Sequence, residues 1–94
     1  MAIPRIRWDG DKEAANTRKH GVDFREAIEA LQDPLARSVE DAEHSVDDDR
    51  WTTIGRSRRG RLLRVTTVEV GSTIRIISAR PADAGERRDY EEES

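Results

Sequence analysis

The sequence predicts an α+β fold: two N-terminal helices packed on an antiparallel meander sheet, with a short C-terminal helix to follow. Three observations carry this. Phe24, Ala27, Ile28 and Leu31 fall at i, i+3, i+4 and i+7, the spacing of one helical face. Residues 51–80 are rich in β-branched side chains and are broken at hairpin spacing by Arg58-Arg59-Gly60 and by Gly71-Ser72. Asp23/Glu26 and Asp83/Glu86 repeat the cap spacing that opens a helix, once on each side of that block. Helices segregated from strands in this way define the α+β class.

The elements follow in order. Ile3 to Trp8 alternates around Ile6 and Trp8 and reads as an edge strand, where Pro4 is tolerated. Asp9 or Asp11 caps a first helix that runs to His20, with Gly21 as its left-handed stop. Its apolar stripe is thin, so it must lean on Trp8 or on a partner. The second helix starts at the Asp23 cap, and Asp33-Pro34 ends it. Leu35 to Val39 forms a short strand, and Asp41 to Asp49 an acidic loop. Strands over Trp51–Ser57, Leu62–Val70 and Thr73–Arg80 complete the meander. Pro81 breaks it, and the last helix covers Ala84 to about Glu92.

At 94 residues the chain has the size of one domain, 1–94. It is 39% charged, well above the usual quarter, and contains no cysteine. Disulfides and thiolate metal sites are excluded, which fits a reducing cytoplasm. No apolar run approaches the roughly 20 residues of a membrane span, and Met1 to Trp8 has no signal-peptide core. The net charge of −3 hides a segregation. Residues 50–80 carry Arg50, Arg56, Arg58, Arg59, Arg61, Arg64, Arg75 and Arg80 against the single acid Glu69, while 38–49 and 81–94 are acidic. Arginine grips phosphate with two parallel hydrogen bonds, so this block points to an anionic partner. The plain alternative is a solvated, arginine-rich sheet face.

No phosphate loop, dinucleotide fingerprint, nucleophile elbow or zinc spacing is present, and no metal or cofactor is expected. Lys19-His20-Gly21 has two readings. Cations beside a glycine stop complement a helix C-terminus, and an imidazole is a proton carrier near neutral pH. Strict alternation would set Arg75 and Arg80 on opposite faces of their strand. Glu69 is expected to orient arginines rather than to act as a base. A ribonuclease that works without metal needs a proton acceptor, a proton donor and cations for the developing charge. This composition is compatible with that list.

Taken together, several stretches resemble the BrnT family of type II toxins. They are Trp8-Asp9 with Lys12 and Asn16, Arg18-Lys19-His20-Gly21-Val22 with Phe24, and Asp33-Pro34-Leu35. His44-Ser45, Arg50-Trp51, Ile54-Gly55 and Gly60-Arg61-Leu62-Leu63 follow. Ile74-Arg75-Ile76-Ile77-Ser78-Ala79-Arg80 and Glu86-Arg87-Arg88 with Asp89-Tyr90-Glu91 complete the match. The resemblance implies a RelE-like fold whose sheet faces RNA. It implies endoribonuclease activity without metal that inhibits translation in the cytoplasm. The partners implied are the RNA substrate, a BrnA-type antitoxin that neutralises the toxin, and operator DNA reached only through that antitoxin.

On this basis the catalytic candidates are His20, Arg50, Arg75 and Arg80. The RNA-binding candidates are Lys12, Lys19, Arg58, Arg59 and Arg61. The chain departs from the family pattern at Thr67, Val70 and Pro81, where an aromatic or imidazole, an arginine and a lysine are usual. Those departures raise an alternative: a catalytically weakened toxin that persists as an antitoxin-binding module and transcriptional co-repressor.

Overall fold

A computed structural model describes residues 5–41 and 49–93. The element order is β1 (Arg5–Trp8), α1 (Gly10–His20), α2 (Phe24–Leu31), β2 (Arg37–Glu40), β3 (Asp49–Arg56), β4 (Leu62–Val70), β5 (Thr73–Pro81) and α3 (Ala84–Glu93). The five strands form one sheet in the order β1-β5-β4-β3-β2. The predicted meander holds from β2 to β5, all antiparallel neighbours. The purely antiparallel sheet does not: β1 runs parallel to β5, so the sheet is mixed. The cause is the connection. The chain leaves β1, crosses through α1, α2 and three strands, and returns along the free edge of β5. His44 and most of the acidic loop lie outside the described residues.

Asp9 caps α1, its carboxylate accepting from the backbone N–H of Asp11 at 2.8 Å and of Lys12 at 3.3 Å. Gly21 stops the helix at φ 70°, a left-handed conformation that favours glycine. Asp23 caps α2 by accepting from the Glu26 N–H at 2.8 Å. The core lies between α2 and the sheet: Val22, Phe24, Ala27 and Ala30 against Leu63, Val65, Ile76 and Ala79. The Trp8 ring meets Phe24 edge-on at 6.4 Å. Ile28 and Leu31 pack against this cluster from its margin.

The thin stripe of α1 is explained by one polar residue. Asn16 is buried, and its amide donates to the carbonyls of Val22 at 2.9 Å and Ala79 at 2.8 Å. Its side-chain oxygen accepts from the Ala79 N–H at 3.1 Å. β1 pairs with β5 only over Thr73–Ile76. Beyond that point the Asn16 amide takes the place of a neighbouring strand and satisfies both backbone groups of Ala79. The helix is therefore fastened along the edge of β5 by hydrogen bonds rather than by apolar burial.

A second irregularity decides which side chains share a face. Between β4 and β5 the register shifts at Thr66/Thr67: Thr66 faces Ser78, yet Thr67 faces Ile76. Ile77 is thus an extra residue, a β-bulge that re-aims the side chains on one side of it. It overturns the alternation expected for β5. Arg75 lies opposite Val68, Ser78 opposite Thr66 and Arg80 opposite Arg64. Val68, Thr66 and Arg64 alternate on one face of β4, so Arg75, Ser78 and Arg80 all lie on that same face.

Candidate nucleic-acid interface

The face of the sheet away from α2 carries arginines in two rows. In the first, Arg7 pairs with Arg75, which faces Val68, which faces Arg50. In the other, Arg80 faces Arg64, which faces Ile54, which faces Arg37. Between them runs a row of hydroxyls, Ser78, Thr66 and Thr52. Neighbouring strands lie about 4.8 Å apart, so the cations of the first row span four strands within about 15 Å. Arg7 and Arg75 are exposed.

At the β5 edge of this face α1 adds three more groups. Lys12, Lys19 and His20 line a shallow groove of about 300 Å³ with Asn16, Ile77 and Ser78. Three candidates on α1, Lys12, Lys19 and His20, therefore line one groove with Ser78, and Arg75 and Arg80 lie on the same face of β5 to either side of Ser78 in sequence. The Asn16 fastening and the Ile77 bulge bring them together. Arg50 shares the face two strands away, on β3.

The β3–β4 turn is not part of this assembly. Arg61 donates to the Glu26 carboxylate through Nε at 2.9 Å and through Nη2, and to the Gly21 carbonyl at 3.0 Å. Glu26 is buried, and the Ser57 hydroxyl donates to it at 2.8 Å. Arg59 lies 3.9 Å from the same carboxylate, and the Arg58 N–H donates to Glu29 at 3.1 Å. These contacts are with α2, on the other side of the sheet. Glu69 also lies apart from the arginine rows, facing Asp49 and Ile74. It lines a groove with Leu31 and Trp51 on the α2 side, and among the described residues it pairs with no arginine.

The Arg61 hydrogen bonds hold Glu26 below its ordinary value of 4.5 against the opposing effect of burial, and Glu26 in turn raises Arg61. A carboxyl depressed on folding stabilises the native state above its unfolded pKa, and that contribution disappears as pH falls through the folded value. Melting temperature should therefore drop as pH is lowered from about 4.5 towards 3. In Glu26→Gln that part of the acid dependence should be missing. An unchanged acid limb in the variant would mean that Glu26 is already protonated in the native state.

α3 crosses one end of the arginine face and is pinned twice. Glu86 holds Arg80 and Arg64 near its start. Near its end Tyr90 is buried and donates to Asp33 at 2.7 Å, with the Arg56 guanidinium 5.6 Å from the ring centre. Burial and the Asp33 carboxylate push the Tyr90 phenol above its usual 10.0. Burial alone would raise Asp33. The Tyr90 hydroxyl and the N–H groups of Leu35 and Arg56 outweigh it and hold Asp33 below 3.8. Tyr90 thus serves as an anchor. Of the sequence departures, Thr67 is buried and lines the groove on the α2 side, away from the arginine rows. Val70 is exposed at the end of β4, and Pro81 closes β5.

Sequence reasoning missed Arg7 and Asn16 as parts of this site. Arg7 needed the partner of β1 to be known. Asn16 carried one signal, an amide in the middle of a helix with almost no apolar face.

Comparison with known proteins identifies the family. The family described as ribonuclease toxin, BrnT, of type II toxin–antitoxin systems matches residues 8–86. The crystal structure of the Brucella abortus ribonuclease toxin BrnT is similar at a TM-score of 0.67 and 28% identity, covering 86% of this chain and 99% of that one. No curated protein sequence matches.

Proposed function

Because the chain belongs to the BrnT family of ribonuclease toxins of type II toxin–antitoxin systems, we propose that it is a cytoplasmic endoribonuclease that cuts RNA without a metal ion and so inhibits translation. The observation that carries this is the convergence of Lys12, Lys19 and His20 on Ser78, between Arg75 and Arg80 on an arginine-lined sheet face. The reaction is attack of a ribose 2′-hydroxyl on the adjacent phosphate. The 2′ proton passes to a base, the bond to the 5′-oxygen breaks, and that oxygen takes up a proton. The products are a 2′,3′-cyclic phosphate and a 5′-hydroxyl. His20 carries protons, the lysines attract the backbone, and Arg75, Arg80 and Arg50 stabilise the charge that develops on the phosphate. The RelE-like arrangement belongs to this reading, with RNA on the sheet face away from α2. An antitoxin of the BrnA type neutralises the activity, and operator DNA is reached only through it.

RNA digestion in EDTA tests the reading. Cleavage should persist, and its loss on chelation would refute metal independence. His20→Lys separates the roles of that residue. It puts a cation at the helix C-terminus, which the helix dipole favours, so melting should hardly change. An ammonium titrates roughly four units above an imidazole, so cleavage should fall by about 10²-fold. A normally folded variant that cleaves at the parental rate would remove His20 from the chemistry. The weakened-toxin alternative gains nothing from Thr67, which lies off the arginine face. It predicts no growth arrest when the chain is expressed without antitoxin, where the proposed enzyme predicts arrest.

A further inference from the structure

Arg80 is held in an unusual amount of detail for a surface arginine. Its Nη1 donates to the Pro81 carbonyl at 3.0 Å and to Glu86 Oε1 at 3.0 Å, and its Nη2 donates to Glu86 Oε2 at 2.9 Å. A guanidinium has five N–H donors in a plane. Three are used. The two that remain are Nε–H and the second Nη2–H, which lie parallel on one edge of the group. That edge matches two oxygens of a phosphate. Glu86 is itself fixed: it accepts from the Asp83 N–H at 2.9 Å, and its own N–H donates to Asp83 at 2.8 Å. Its Oε2 also forms an ion pair with Arg64 Nε at 3.2 Å, so Glu86 lies between two arginines that face each other across β4 and β5.

We infer that Glu86 is the positioning residue for Arg80: it occupies the forked end of the guanidinium and leaves the Nε–H/Nη2–H edge to grip an RNA phosphate beside Ser78. This rests on the ribonuclease reading above. Glu86 touches no substrate. It sets the rotation of Arg80 and keeps Arg64 and Arg80 from repelling each other, so the phosphate finds its donors already aligned.

Glu86→Gln is the test, because glutamine preserves the capping interaction with Asp83 but removes the charge that binds both arginines. Turnover should fall by about tenfold or more, as expected when an aligned donor is released. KM should stay the same or decrease, since one negative charge has left the RNA face. A purely structural role would lower the melting temperature and would not split the two constants. If turnover and RNA affinity both rise, Glu86 is a competing anion and the inference is wrong; unchanged turnover also overturns it. A second arm needs no cleavage. In the ¹⁵N spectrum of the parent protein the Arg80 Nε–H signal should be sharp and should shift on titration with inorganic phosphate. In Glu86→Gln both features should be lost. A parent Arg80 signal that ignores phosphate would refute the inference directly. A parent that fails to cut RNA would refute the ribonuclease reading alone, and the phosphate titration would still decide the role of Glu86.

Discussion

Arg75→Ala is expected to lower RNA cleavage by about 10²-fold or more, the scale at which removal of one preorganised donor acts on a developing oxyanion. Arg75 occupies the middle of the first arginine row, beside Arg7 and next to the Ser78 groove. It is exposed, so truncation should leave stability within about 0.5 kcal/mol. The binding of a non-cleavable 2′-O-methyl oligonucleotide should lose about 0.7 from its slope of log K against log salt, one phosphate contact on a single strand. Arg58→Ser and Arg59→Ser should leave that slope unchanged, since the Arg58 backbone N–H and the Arg59 guanidinium hold their turn against α2 on the other side of the sheet. Parental cleavage by the Arg75 variant, or a flattened slope in the turn variants, would place the RNA elsewhere.

The largest stability effect should come from a single methyl group. Gly55 lies in β3 directly under the C-terminal end of α2. A Cβ there would overlap the Ala30 carbonyl oxygen and lie 2.9 Å from its carbon, with the Ala36 Cβ at 3.3 Å. These are mostly backbone atoms, which cannot rotate away as a side chain tip would. α2 would have to lift from the sheet and open the core beneath Phe24 and Ala30. We expect Gly55→Ala to cost at least about 3 kcal/mol, the upper range for overpacking a core. In a domain of this size that lowers Tm by roughly 10–20 °C. Gly10→Ala is the matched control. No atom lies within 4 Å of a Cβ at that position, in the first turn of α1, so the variant should melt at or above the parental temperature. Equal melting of the two variants would show that the α2–β3 approach is not rigid.

Much of the fold was legible because it is written in local chemistry. The Asp23 and Asp83 caps, the Gly21 stop, the apolar face of α2 and the hairpin glycines each act within a few residues, and each element appears within about two residues of its expected bounds. Features that depend on distant pairing were not legible. The parallel partner of β1 is about 68 residues away in sequence, so neither the mixed sheet nor the place of Arg7 could be read. The Ile77 bulge is invisible to a rule of alternation, yet it puts Arg75 and Arg80 on one face. Charge alone also failed to sort the basic block. Arg61 looked like the other arginines, and only the fold shows that buried Glu26 claims it. In α3 the glutamate of the Asp/Glu pair reaches back to its cap as expected, whereas in α2 the equivalent Glu26 reaches across to Arg61 and Ser57 instead.

The parallel edge strand also sets an order of events during synthesis. Arg5–Trp8 leaves the ribosome first but pairs with Thr73–Ile76, and Asn16 binds Ala79 across 63 residues. At roughly 5–20 residues per second, several seconds pass before these partners are available. Until then Arg7 has no Arg75 beside it, and α1, with almost no apolar stripe, is held only by local hydrogen bonds to Val22 and Phe24. Contacts between such distant residues are the slowest to form. Lys12, Lys19 and His20 therefore join the β5 arginines late, once Thr73–Ala79 has been made and has paired with β1 and Asn16.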